Sequence, residues 1–139
     1  VHVNPYHKLE EFNLTDACDD NKDFIFNMVE KLTPKKDISN YVNKHLKDTK
    51  IIKKNDQVIG IVIYYKENSR YWLDLIYIKD KYQNLGIGHN IIKNLIDNQK
   101  KNKTQLEVLK SNIKAIKLYK NLGFQIISET KNKYIMEVN

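Results

Sequence analysis

The spacing of apolar residues changes along the chain, and each change indicates a different kind of secondary structure. From about residue 20 to residue 46, apolar side chains recur every three or four positions, which is typical of amphipathic helices. Residues 49–78 instead form extended apolar runs broken at Asn55-Asp56 and at Glu67 to Ser69, which predicts a three-strand meander with tight turns. From residue 87 onward, helical and extended patterns alternate.

The first half of the chain is predicted to contain a strand, two helices and the meander. The opening strand is expected around Leu9 to Leu14, and Asp20 is expected to cap a helix that Pro34 ends. The apolar positions of the two helices are Phe24, Ile25, Met28, Val29 and Leu32, followed by Ile38, Tyr41, Val42 and Leu46. The three strands of the meander are TKIIKK, QVIGIVIYYK and RYWLDLIYIK.

The second half predicts a helix, a strand, a helix and a closing hairpin. The first helix carries an apolar stripe of Ile87, Ile91, Ile92, Leu95 and Ile96. TQLEVLK follows as a strand, and Ser111 is expected to begin a helix that ends at Gly123 with a left-handed cap. FQIISET and KYIMEV pair around Lys131-Asn132. This order predicts one domain over residues 1–139, an α/β sandwich with a mixed central sheet.

Length and cysteine content indicate the compartment. A chain of 139 residues fits one domain, and its apolar runs are far too short to span a bilayer. Its start lacks the features of a secretory signal, and Cys18 is the only cysteine, so no intrachain disulfide can form. We therefore expect a cytoplasmic protein without membrane contacts. Because the chain opens on Val1, we also expect N-terminal processing or further residues before it.

The net charge of +7 raises the question of an anionic partner. The cations are lysines spread along every segment, with Arg70 as the sole arginine, so a nucleic-acid partner is disfavoured. The four histidines lie too far apart in the sequence to suggest a metal cage, and no metal is expected.

Gly86 and Gly88 stand where the meander leads into a helix. The first N–H groups of a helix lack internal partners, and the helix dipole adds positive charge there, so anions bind at such ends. Glycines would let a loop curl tightly around a diphosphate, although a purely structural turn would also explain them. A dinucleotide fingerprint would need a third glycine where Ile91 stands, and no Gly-Lys-Ser/Thr of a Walker loop follows.

Two segments together resemble the GNAT superfamily of N-acetyltransferases. Gln83 to Gly88 is similar to that family's Gln/Arg-x-x-Gly-x-Gly/Ala motif, and Leu73 to Ile78 resembles its fourth strand. The later segment is similar at Leu106-Glu107-Val108, Asn112, Ala115, Leu118-Tyr119 and Gly123-Phe124. The resemblance covers residues 71–127 and implies a three-layer α/β fold with a mostly antiparallel sheet in which strands 4 and 5 splay apart.

The resemblance implies that acetyl-CoA is the acyl donor. Backbone N–H groups from Gln83 through His89, including those of Asn84, Leu85, Gly86, Ile87 and Gly88, would hold the diphosphate. The pantetheine arm would pair with the main chain of Ile76, Tyr77 and Ile78, as an added strand would. A backbone N–H near Ile76 would stabilise the oxyanion, an effect worth about 3 to 4 kcal/mol in other acyl-transfer enzymes.

Direct transfer of the acetyl group to a primary amine in a ternary complex also needs a base and an acid. The resemblance implies Asp74 as base, at a position where many relatives carry glutamate, and Tyr119 as the acid that protonates the CoA sulfur. Asn112 would bind the cofactor arm. Ordinary structural roles remain open for these residues: a salt-bridged Asp74, a core Tyr119 and a helix-capping Asn112.

The acceptor amine stays open, as does the oligomeric state, for which a homodimer is one option. Candidate acceptors are a small amine, an amino-sugar, an antibiotic, a peptide or a protein N-terminus, whereas the net charge of +7 weakly disfavours polycations such as polyamines. Two other classes remain as alternatives, a regulatory acyl-CoA-binding domain without catalysis and a basic nucleic-acid-binding module.

Overall fold

The structure is a computed structural model that describes residues 12–33, 35–99 and 101–139. The helices in these ranges are α1 (Lys22–Leu32), α2 (Ile38–His45), α3 (Ile87–Asp97) and α4 (Ile113–Asn121). The strands are β1 (Phe12–Asp16), β2 (Thr49–Lys54), β3 (Gln57–Glu67), β4 (Arg70–Ile78), β5 (Thr104–Leu109), β6 (Gln125–Glu129) and β7 (Lys133–Val138). Short 3-10 helices cover Asp19–Asn21, Leu46–Asp48 and Asp80–Tyr82.

The strands form a seven-stranded sheet in the order β1-β2-β3-β4-β5-β7-β6. Strand β4 pairs with β5 in parallel, whereas β1–β2, β2–β3, β5–β7 and β6–β7 are antiparallel pairs. The mixed central sheet expected from the element order is therefore confirmed, and its pairs are mostly antiparallel, as the family resemblance implied.

Two tight turns join the strands of the meander. Asn55 and Asp56 have φ of 52° and 66°, and Asn68 and Ser69 have φ of 54° and 65°. Positive φ at both central residues is the hairpin geometry that matches the twist of the flanking strands, and Asn and Asp tolerate it better than most residues. The meander is confirmed, but the second turn contains only two residues because β3 continues through Glu67.

The chain divides into two compact units, each with its own core. The first contains the described residues up to Tyr64 together with Leu75–Gly88. Its buried apolar side chains are Ile25, Val29, Val42, Ile51, Ile52, Ile59, Ile61, Val62, Ile63, Leu75 and Ile87. They come from α1, α2, β2, β3, β4 and the first turn of α3, so the two early helices and the meander supply this core.

The second unit contains Tyr65–Asp74 and His89–Asn139. Its buried apolar side chains are Leu73, Ile91, Ile92, Ile96, Leu106, Val108, Phe124 and Met136. On β5, buried Gln105 donates from Nε2 to Glu137 Oε2 of β7 at 2.6 Å, and Lys103 Nζ lies 3.3 Å from the other oxygen. These bonds lower the pKa of Glu137 from its ordinary value, the Gln105 bond contributing most.

Several predicted boundaries were wrong by one or two residues. Asp20 does not cap α1, because the Asn21 side chain accepts from the Cys18 N–H at 2.9 Å and closes a 3-10 turn that contains Asp20. The last helix begins at Ile113 and not at Ser111, because Asn112 occupies the N-cap. Strand β1 begins at Phe12, and the earlier part of the predicted opening strand, like Pro34, lies outside the described residues.

The left-handed cap predicted at Gly123 is confirmed, with φ of 98°. The Phe124 N–H donates to the Tyr119 carbonyl at 3.0 Å, and the Gly123 N–H donates to the Lys120 carbonyl at 3.0 Å. These two bonds are those of a Schellman motif, and its usual apolar contact is here made by the rings of Tyr119 and Phe124, 5.7 Å apart.

None of the helices within the described ranges has the length and apolar character required to cross a membrane.

Candidate active site

The segment between β4 and α3 has the conformation expected of an anion-binding loop. After the 3-10 turn Asp80–Tyr82, the chain passes through Asn84 with φ of 63° and Gly86 with φ of 82° before α3 begins at Ile87. Glycine adopts positive φ without steric cost, and asparagine does so more readily than most other residues. Two left-handed residues within three positions therefore turn the chain tightly into the start of a helix.

The Gln83 side chain holds this loop in place. Its Nε2 donates to the Ile78 carbonyl at 2.7 Å and to Asp80 Oδ1 at 3.1 Å, so it links the loop to the end of β4. The backbone N–H of Gln83 donates to the Asp80 carbonyl at 3.2 Å. Gln83 therefore stabilises the loop with its side chain, and its own N–H is engaged within the turn.

The two glycines leave space over the start of α3. A Cβ atom built on Gly86 would have no heavy atom within 4 Å, and one built on Gly88 would meet only Ile76 Cδ1 at 4.0 Å. The first N–H groups of a helix have no intrahelical acceptor, which here concerns Ile87, Gly88 and His89. The loop thus presents main-chain donors beside open space, as an anion site requires.

Gly60, which the sequence reasoning did not consider, is packed against the same part of β4. A Cβ atom at this position would lie 2.1 Å from the Tyr77 carbonyl oxygen, a distance that real contacts do not reach. Both residues belong to the first unit. A lone glycine inside a strand pattern is a known sign of a bulge or of close backbone approach, and this sign was present in QVIGIVIYYK.

Hydrogen bonding indicates a bulge in β4. The two-residue turn between β3 and β4 places Glu67 opposite Arg70. In an antiparallel ladder without a bulge, the numbers of paired residues keep a constant sum, which is 137 here. The Lys79 N–H nevertheless donates to the Ile59 carbonyl at 2.8 Å, a pair whose numbers sum to 138. Between the turn and this bond, the β4 side therefore contains one more residue than the β3 side, as in a β-bulge, and the extra residue of a bulge lacks a ladder partner.

Parallel pairing of β4 with β5 is short. Among the described residues the register pairs are Tyr71 with Thr104 and Trp72 with Gln105, and the Tyr71 N–H donates to the Lys103 carbonyl at 2.8 Å. This limited ladder is consistent with the predicted splay of the two strands.

Asp74 is half-buried and accepts a hydrogen bond from a tyrosine on the neighbouring strand. The Tyr65 hydroxyl donates to Asp74 Oδ2 at 2.8 Å, and both residues lie in the second unit. The sequence reasoning named Asp74 but not Tyr65. The alternation of side chains between the two faces of β3 could have placed Tyr65 on one face of the sheet. It could not have identified the residue that accepts a hydrogen bond from the Tyr65 hydroxyl.

Asn112 is exposed and caps α4. Its Oδ1 accepts from the Ala115 N–H at 3.2 Å, which is the capping role that the sequence left open. This bond uses only the carbonyl oxygen of the amide, so the NH2 group can still donate to a ligand.

Tyr119 lies on α4 within the Schellman motif. Its ring packs against Phe124, and burial raises the pKa of its phenol to about 12. The phenol therefore stays protonated throughout the physiological pH range. The ring of Tyr119 therefore has the packing role that the sequence left open. Its protonated hydroxyl is also suited to hydrogen-bond donation.

The fold and the loop define the class of protein. The model of the acetyltransferase (GNAT) family matches residues 15–124. The chain belongs to the GNAT acetyltransferase family, as its two sequence segments predicted.

Solved structures of N-acetyltransferases share this fold. The chain is similar to Naa50 of Arabidopsis thaliana, solved with the bisubstrate analogue CoA-Ac-MVNAL, with a TM-score of 0.76 and 22% identity over 93% of this chain and 99% of that one. It is also similar to the ribosomal-protein-S18-alanine N-acetyltransferase of Escherichia coli, with a TM-score of 0.74 and 19% identity over 91% and 92% of the two chains. The predicted fold class is therefore confirmed.

A curated relative from Bacillus subtilis, a spermine/spermidine N(1)-acetyltransferase, is 37% identical over 67 residues. The match spans 45% of this chain and 44% of the relative, so it covers less than half of either protein.

Proposed function

We propose that this chain transfers the acetyl group of acetyl-CoA directly to a primary amine. The observation that carries the proposal is the loop from Gln83 to Gly88, in which Asn84 and Gly86 have positive φ and lead into the first N–H groups of α3, which have no acceptor within the helix. A diphosphate carries the charge and the acceptor oxygens that such a helix start binds. The proposal implies a cytoplasmic location.

The diphosphate and the pantetheine arm of acetyl-CoA each have proposed partners. The diphosphate binds the backbone N–H groups at Asn84, Leu85, Gly86, Ile87, Gly88 and His89, while Gln83 holds the loop. The pantetheine arm pairs with the main chain at Ile76, Tyr77 and Ile78, where the bulge in β4 supports an unpaired donor. The Asn112 amide contributes a further donor from its NH2 group.

Asp74 acts as the proton acceptor. The amine enters as an ammonium ion, and its proton passes to the Asp74 carboxylate directly or through water. The free amine then attacks the thioester carbonyl and forms the C–N bond, the C–S bond breaks, and CoA leaves as the thiolate. The second proton that the nitrogen loses on becoming an amide passes through water to the thiolate, so that CoA is released as the thiol. A main-chain N–H of β4 holds the oxyanion that forms between these steps.

Tyr119 stabilises the departing thiolate. A phenol with a pKa of about 12 is a weaker acid than a thiol near 8.5, so complete proton transfer is uphill by about 3.5 pKa units, or roughly 5 kcal/mol. A hydrogen bond from the protonated phenol to sulfur requires no such transfer. Tyr119 therefore serves as a hydrogen-bond donor to the charge that develops on sulfur as the C–S bond breaks, and its phenol keeps its proton.

The acceptor is proposed to be an amine that is not a polycation. The net charge of +7 repels polyamines at long range, which weighs against carrying over the substrate named for the Bacillus subtilis relative. The Naa50 structure was solved with a peptide-bearing analogue, and its similarity extends over almost the whole chain. A peptide or protein N-terminus is therefore the first acceptor class to test, and spermidine is the second.

Thioester consumption tests the proposal. Acetyl-CoA is mixed with a panel of amines that includes short peptides, spermidine and an amino-sugar, and free thiol is measured over time. We expect amine-dependent release of CoA thiol and an acetylated product detected by mass spectrometry. If acetyl-CoA binds but no amine accelerates thiol release, the chain is a non-catalytic acyl-CoA-binding domain.

A further inference from the structure

Tyr65 and Asp74 form a specific contact between neighbouring strands. The Tyr65 hydroxyl lies 2.8 Å from Asp74 Oδ2 in a partly buried position. The two-residue turn at Asn68-Ser69 places Tyr65 opposite Trp72, so Asp74 is its diagonal neighbour on the same face. A tyrosine is long enough to span this diagonal, and its hydroxyl ends on one oxygen of the carboxylate.

Such a bond restricts the carboxylate in a way that packing alone does not. Hydrogen bonds to an ionised carboxylate are short and about twice as strong as those between neutral groups. A bond to one chosen oxygen selects one orientation of the carboxylate plane, and a displacement of about 1 Å at a reacting group can cost about a hundredfold in rate. The hydrogen bond from Tyr65 on β3 thus contributes to the orientation of the Asp74 carboxylate.

We propose that Tyr65 is a positioning residue that orients the Asp74 carboxylate toward the acceptor's ammonium group. This inference rests on the proposed acetyl-transfer function. Tyr65 acts on the reaction through Asp74: its hydroxyl donates to Oδ2, so that the carboxylate meets the ammonium in one geometry. The acyl donor is held by the loop before α3 and by β4, so its affinity is independent of Tyr65.

The test is a kinetic double-mutant cycle with Tyr65→Phe, Asp74→Asn and the double variant. Tyr65→Phe removes one oxygen atom and keeps the ring, and thermal melting verifies that each variant is folded. For Tyr65→Phe we expect kcat to fall about tenfold, the loss that corresponds to one hydrogen bond to a charged group, while calorimetric acetyl-CoA affinity changes less than twofold. The double variant should be no slower than Asp74→Asn alone.

The pH profile separates positioning from a general packing effect. In the pH profile of kcat/KM for the amine, Asp74→Asn should abolish one limb. In Tyr65→Phe the same limb should move to a different pH. Tyr71→Phe is the matched control, because it removes the phenol hydroxyl of a half-buried tyrosine on β4 and should keep wild-type rates and profile. A purely structural Tyr65 would change the melting temperature and leave the profile in place.

The outcomes distinguish this inference from the proposed function. Wild-type turnover in Tyr65→Phe, or losses that add fully in the double variant, would overturn the positioning role while leaving acetyl transfer intact. An absence of amine-dependent turnover in the wild-type protein would instead remove the proposed function, and the positioning role with it.

Discussion

Substituting alanine for Gly60 is expected to destabilise the protein and to weaken acetyl-CoA binding. The added Cβ would lie 2.1 Å from the Tyr77 carbonyl oxygen, and contacts below 3.0 Å essentially do not occur, so at least 3.0 − 2.1 = 0.9 Å of movement is required. The nearby Ile52 Cδ1, at 3.2 Å, can give way by rotation. The carbonyl of β4 cannot, because it belongs to the main chain.

The expected cost follows from this geometry. Overpacking of a filled core costs about 1 to 3 kcal/mol, and the upper part of that range applies because the obstacle is backbone. For a chain of this size, 1 kcal/mol corresponds to about 4 °C in melting temperature, so Gly60→Ala should melt about 10 °C below wild type. Displacement of Tyr77 also disturbs the main chain proposed to bind pantetheine, so acetyl-CoA affinity should fall about tenfold or more.

Thermal melting followed by calorimetric titration with acetyl-CoA measures both effects. Gly88→Ala is the matched stability control, because it makes the same substitution at a position where the nearest atom is 4.0 Å from the added carbon. Alanine is also favoured over glycine within a helix, so this control should melt at or above the wild-type temperature. A Gly60→Ala variant that melts within 2 °C of wild type would refute the close approach of Gly60 and Tyr77.

Three further predictions concern single side chains. In Tyr119→Phe, acetyl-CoA affinity should persist while kcat falls at least about tenfold, and wild-type turnover would exclude Tyr119 from the chemistry. Because the pKa of Tyr119 rises from 10.0 to about 12 on folding, the folded state holds an extra proton between these values, so stability falls as pH rises from 10 to 12; Tyr119→Phe should lessen this fall in denaturant titrations. The pKa of Glu137 is lowered on folding, so its contribution is present above its unfolded value of 4.5 and is lost as pH falls through the folded value. Glu137→Gln should therefore reduce stability at neutral pH and flatten its acid dependence, and an unchanged unfolding curve between pH 3 and pH 7 would contradict the bond to Gln105.

Local signals were sufficient for most of the elements. The meander could be predicted because long, mainly apolar segments are separated by residue types typical of tight turns, at Asn55-Asp56 and Asn68-Ser69. The cap at Gly123 likewise depends on one glycine and on the apolar residue that follows it. These features lie within a few residues of one another, so the sequence displays them directly.

Helix starts were less accurate because polar side chains compete for the same backbone groups. Asp20 and Ser111 both have the residue type of a cap, but Asn21 closes a 3-10 turn before α1 and Asn112 caps α4. Which of two neighbouring polar residues caps a helix depends on hydrogen-bond geometry, and the spacing of residues in the sequence does not specify that geometry.

The features that depend on strand register could not be derived in full. Gly60 could have been recognised as a position of close backbone approach, but the atom that it approaches, the Tyr77 carbonyl oxygen, depends on how β3 and β4 are aligned. The bond between Tyr65 and Asp74 requires both the length of the turn and the reach of a tyrosine across a diagonal. Both features concern the parts of β4 that the proposed mechanism uses.

The most direct test of the central claim is a calorimetric titration of acetyl-CoA into the wild-type protein and into Gly86→Val. A β-branched residue at φ of 82° is strongly disfavoured, so the variant should lose the loop conformation that presents the N–H groups. We predict one-to-one binding to the wild type with a Kd below about 1 mM, and at least about tenfold weaker binding to the folded variant. Absence of binding to the wild type, or equal affinity in the two proteins, would contradict the account.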